Sequence, residues 1–153
     1  MTMADGRWSM ADRSMSTLGA VRRLLAFVLL LGMTGTLVEL LLVGHDEGAI
    51  QFVPLVLLVV GVANVCWRMI TGSRASAVVL RAVMVLFLAA GIAGVYFHYR
   101  ANVEFQLETD PSLAGRALLW GVLQAKVPPA LAPGVLVQLG LIGLAYTYRD
   151  KEQ

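Results

Sequence analysis

Five side chains able to bind a metal gather near one end of the chain's apolar runs: Glu39, His45, His98, Glu104 and Glu108. Imidazole with carboxylate is a donor set for a divalent transition metal, and two histidines opposed across a helix bundle could instead ligate a haem. The set is densest in the stretch 98–111, HYRANVEFQLETDP, which packs an imidazole, a guanidinium, two carboxamides and three carboxylates into the end of a hydrophobic segment. On a helix, Glu104 and Glu108 are i,i+4 neighbours, as are Arg100 and Glu104, so one face alternates in charge. His98 pairs with Asn102 in the same way, on a face about 80° or more away. One helix therefore does not present His and Glu together, and a metal site would have to recruit Glu39 or His45 from elsewhere. HExxH and ExxH motifs are absent. The plainer reading treats Arg100 with Glu104 as a solvated ion pair, and His98 with Tyr96 and Tyr99 as an interfacial belt.

Glu39 differs because a carboxylate inside an apolar span is costly without a partner. Gly32, Gly35 and Glu39 fall on one side of a helical wheel, which predicts that Glu39 faces the bundle interior and pairs with His98 or Arg100. Asn64 and Gln138 are uncharged polar residues inside other apolar runs. With Arg100 and Asn102 they are the expected interhelical polar contacts, and with Glu39 they could trace a polar path.

These groups need elements to hold them, and composition says which. The chain has 153 residues, 58% hydrophobic, 14% charged, with a mean hydropathy of +0.75. Soluble domains carry about 25% charged residues, so the bilayer must be the solvent for much of this surface. The apolar runs predict an all-α integral membrane four-helix bundle, with spans at 21–43, 50–70, 77–99 and 131–147. Residues 1–20 read as a disordered cytoplasmic tail and 150–153 as a second cytoplasmic tail, leaving 21–149 as the transmembrane domain. A further apolar segment, 111–125, is too short to span and reads as an interfacial or re-entrant helix between helices three and four, started by Asp110 as N-cap with Pro111 at N1. Pro128, Pro129 and Pro133 then stiffen the entry to helix four and would hold that short helix over the bundle mouth. Two overlapping small-residue pairs, Ala89 with Ala93 and Ala90 with Gly94, predict a tightly packed face on helix three.

Arg7, Arg13, Arg22, Arg23, Arg68, Arg74, Arg81, Arg149 and Lys151 fall on one side of these spans, against Arg100, Arg116 and Lys126 on the other. The positive-inside rule puts both termini in the cytoplasm, in the cytoplasmic (inner) membrane of a bacterium, with the metal-ligand candidates on the outer, periplasmic face. The net charge of +2 gives no reason to expect nucleic acid. The single cysteine, Cys66, excludes an internal disulfide.

No nucleophile has an identifiable base and no glycine loop could cradle a phosphate, so the chain does not read as an enzyme. The leading expectation is an accessory or structural subunit that packs against a larger membrane complex or assembles with itself. A metal- or haem-binding membrane protein comes second, and a small channel or transporter third.

Overall fold

The computed structural model describes residues 4–44, 48, 50–125 and 131–148. Among them the fold is all-α, with helices α1 (Ala4–Leu42), α2 (Phe52–Thr71), α3 (Arg74–Thr109), α4 (Gly115–Leu123) and α5 (Leu131–Tyr146) and no strand. Three of them, α1 from Thr17, α2 and α3, are long and apolar enough to cross a membrane. α5 is a shorter apolar helix of 16 residues, about 24 Å long. His45, Asp46, Glu47, Lys126, Pro128, Pro129 and the expected tail at 150–153 lie outside the described residues.

The first departure from expectation is at the N-terminus, where α1 starts at Ala4 and absorbs most of the stretch that reads as a disordered tail. The physical reason is the absence of proline. Alanine, methionine and arginine recur in this stretch, and extending a helix already nucleated by an apolar span costs little per residue. The α2–α3 connection is very short and self-explanatory. Gly72 takes the left-handed conformation (φ +61°) that closes α2, its N–H donating to the Arg68 carbonyl at 3.0 Å. Ser73 then caps α3, its hydroxyl accepting from the Ser76 N–H at 3.2 Å.

The core lies between α1, α2, α3 and α5. Leu29 and Met33 of α1 meet Leu58 and Val65 of α2, Leu80, Met84 and Phe87 of α3, and Leu136 and Leu139 of α5. Close approach is bought with glycine. A β-carbon on Gly61 would stand 2.9 Å from Phe87 Cζ and 3.0 Å from Met33 Sδ, and one on Gly32 would stand 2.7 Å from Leu139 Cδ2. The most extensive interface joins α3 to α5. Gly91 and Gly94 of α3 lie against Pro133, while Gly140 and Gly143 of α5 lie against Met84. The expected small-residue face is therefore half right. Ala90 and Gly94 are packed, together with Gly91, whereas Ala89 and Ala93 are exposed on the far side of α3.

Arginines tie down the end of the bundle where α5 finishes. Arg81 Nη2 donates to the Thr147 carbonyl at 2.7 Å and Arg22 Nη2 to the Tyr148 carbonyl at 3.4 Å, so α3 and α1 each supply a cation to the carboxyl end of α5. We call this the basic end.

At the opposite end α3 outruns its neighbours. The offset that sets Gly61 against Phe87 puts the start of α2, Phe52, level with Tyr96. The remainder of α3, to Thr109, projects about 20 Å further. α4 accompanies it, and we call this the hairpin end. Asp110 closes α3 and takes the Ser112 N–H (2.9 Å) and hydroxyl (2.6 Å) onto its Oδ1, so its carboxylate makes a local turn and does not cap α4. α4 begins only at Gly115, where a φ of +56° calls for glycine.

Candidate functional site

The polar stretch of α3 divides by helical phase. Gly91, Gly94, His98, Asn102 and Gln106 recur at intervals of three and four along one face, which is half-buried or buried throughout. Arg100, Glu104 and Glu108 occupy the other side and are exposed. Arg100 Nη2 lies 3.0 Å from Glu104 Oε1, both side chains about 60% exposed, so this is an ion pair along one helix and not between helices.

The buried stripe faces α5 and then α4. Gly94 lies against Pro133, and Gln106 Nε2 donates to the Gly121 carbonyl at 3.3 Å. The advance from Gly94 to Gln106 along α3 equals the retreat from Pro133 to Gly121 along the chain. α5 and α4 therefore contact successive parts of the same face of α3. α4 packs against α3, with Val122 fully buried. Gly121 belongs to the last turn of α4, whose carbonyls lack helical partners, and the Gln106 amide satisfies one of them. His98 and Asn102 lie half-buried between these two contacts. Gln106 was missed by sequence reasoning, although its place one turn beyond His98 and Asn102 was the available signal.

Among the described residues the sequence candidates do not converge. Glu39 is exposed and makes no ion pair with a described residue, contrary to the expected pairing with His98 or Arg100. It shares a helical face with Gly32, which α5 covers through Leu139, but the Glu39 side chain itself is exposed. Among the described residues no three His, Cys, Asp or Glu side chains are grouped closely enough to hold a metal ion, and His45 lies outside them.

Two expected interhelical contacts are also placed differently. Asn64 Nδ2 donates to Val60 O at 2.8 Å within α2, and its Oδ1 is buried without a partner. Gln138, at the centre of α5, is exposed and hydrogen-bonds to no described residue. Around the hairpin end, Tyr96, Phe97 and Tyr99 are exposed, with Tyr96 and Phe97 in edge contact at 5.7 Å, and Phe105 and Trp120 are each 62% exposed. This is the aromatic composition of a membrane–water interface. No protein-family model, curated protein or solved structure matches the chain.

Proposed function

We propose that the chain is a structural or accessory membrane subunit, a four-helix transmembrane bundle in which α5 follows the line of α3 and an outward face of α5 seats a further helix. The observation that carries this reading is Gln138. Its level is fixed by Gly32 against Leu139 and by Gly91 against Val137, each near the middle of an apolar run. At that depth the side chain faces lipid, where an amide lacking a partner costs several kcal/mol in hydrocarbon. A helix from a second copy or from a larger complex would supply the missing hydrogen bonds. Gly134 and Ala145, small and open on the same side of α5, leave room for its backbone.

The five arginines Arg22, Arg23, Arg68, Arg74 and Arg81 all belong to the basic end, which supports a cytoplasmic location for both termini in a bacterial inner membrane. The test is cross-linking in native membranes through Gln138→Cys on a cysteine-free background. A discrete adduct, either a homodimer or one with a single larger protein, supports the subunit reading. A monomer at every oxidant level, with Gln138→Leu unchanged in its native complexes, rejects it.

A further inference from the structure

The hairpin end carries apolar surface beyond the reach of lipid chains. Phe105 of α3 and Trp120 of α4 are each 62% exposed, and Leu119 and Leu123 of α4, beside Trp120, are 47% and 46% exposed. We propose that this surface joins the chain to a second copy of itself, with α3 of each copy meeting α4 of the other.

Height separates a protein partner from the bilayer, which aromatic composition alone does not. The apolar run of α1 ends at Val43 and α2 starts at Phe52, level with Tyr96, so the hydrocarbon stops near Tyr96, Phe97 and Tyr99. The contact between Gln106 and Gly121 lies about 15 Å beyond Tyr96. The headgroup layer occupies only about 5–8 Å on each side of the hydrocarbon. Trp120 adjoins Gly121 in α4, and Leu119 and Leu123 lie within one turn of it. These side chains therefore stand in water unless protein covers them, and contiguous apolar patches in water mark association sites.

Charge selects the partner. Phe105 and Glu108 are i,i+3 neighbours on α3, and Arg116 and Trp120 are i,i+4 neighbours on α4, so each helix offers one ring and one exposed charge, of opposite sign. Arg100 is already bonded to Glu104, and Asp110 to Ser112. Glu108 and Arg116 have no partner among the described residues. The same hairpin in a second copy brings a cation to Glu108, a carboxylate to Arg116 and apolar anchors between them. Copies inserted alike in one membrane are related by an axis along its normal, so contacting residues must stand at similar heights. Glu108 lies about 3 Å along α3 from the Gln106–Gly121 contact and Arg116 about 8 Å along α4, both toward the connecting turn, and their long side chains bridge the difference. Aromatic and arginine anchors of this kind carry much of the energy of protein interfaces. The surface lies outside the apolar spans and does not depend on the α5 face around Gln138.

The test is the dimer dissociation constant of the full chain in lipid bilayers, measured by energy transfer between labelled copies. A homodimer is expected. Trp120→Ala should weaken it about tenfold, as should Arg116→Glu and Glu108→Arg singly, whereas the double exchange Arg116→Glu/Glu108→Arg should return it to within about twofold of the parent. All three sites are exposed, so the variants should keep the fold. A monomeric parent protein would overturn the proposal, as would a dimer indifferent to Trp120→Ala or one that the double exchange fails to restore. The bilayer is tested as a rival occupant in Trp8→Phe/Trp67→Phe, which leaves Trp120 as the sole indole. Emission untouched by brominated phospholipid supports the dimer surface, and strong quenching would overturn it and assign the face to lipid.

Discussion

A β-carbon on Gly91 of α3 would stand 2.8 Å from the Pro133 carbonyl oxygen of α5 and 3.0 Å from the Val137 backbone nitrogen. These are backbone atoms, which cannot rotate away as a side chain would. Gly91→Ala should therefore destabilise the bundle by about 1–3 kcal/mol, as overpacking does elsewhere. Gly35→Ala in α1, where nothing lies within 4 Å, should be neutral or stabilising. Thermal unfolding of both variants in one detergent compares them directly.

Arg81 holds the end of α5 through the Thr147 carbonyl. Arg81→Gln should lower stability by about 1.5–3 kcal/mol, the net scale of a hydrogen bond from a charged donor. The loss should be local, appearing as faster amide exchange in the last turn of α5 while the α2–α3 turn keeps its protection.

Glu39→Ala should leave the melting curve within about 0.5 kcal/mol of the parent, because the carboxylate is exposed and contributes no ion pair among the described residues. A marked loss of stability would restore the interior pairing expected from the helical wheel.

The α3–α4 turn gives a pH signature. The hydroxyl and N–H of Ser112 hold the Asp110 carboxyl below its usual value of 3.8. A lowered folded-state pKa means that the stabilisation is present above 3.8 and is lost as pH falls through the lower, folded value. Carbon-detected titration should place the Asp110 midpoint below that of an unstructured aspartate, and Ser112→Ala should raise it.

Gln106→Ala removes the amide donor to Gly121. It should loosen α4 from α3, raising proteolytic cleavage at the hairpin end while α1, α2 and α5 remain protected. Cleavage equal to that of the parent protein would mean that Val122 alone holds α4 in place.

The helices were legible because apolar runs and the Gly72-Ser73 punctuation are local signals, and α3 reaches Thr109 because no proline interrupts it. What was not legible depends on partners. A wheel puts Gly32 and Glu39 on one side, yet Gly32 is covered by Leu139 of α5 and Glu39 is exposed. Ala89 with Ala93 and Ala90 with Gly94 have identical spacing, and the choice fell to the side carrying Gly91, where two backbones can touch. The likeness of α4 to an isolated interfacial helix was compositional. The hydrogen bond from Gln106 to Gly121 that accompanies its packing on α3 becomes visible only once α3 has a neighbour.

The unequal lengths of the helices also make the protein its own topological ruler. α1 runs about 20 Å beyond Thr17 toward one compartment, and α3 runs a similar distance beyond Tyr96 toward the other. A thiol placed at Thr17 and another at Glu104 would stand at opposite ends of the bundle. A reagent that cannot cross the bilayer would then modify one and spare the other, and which one it modifies would identify the compartment each end occupies.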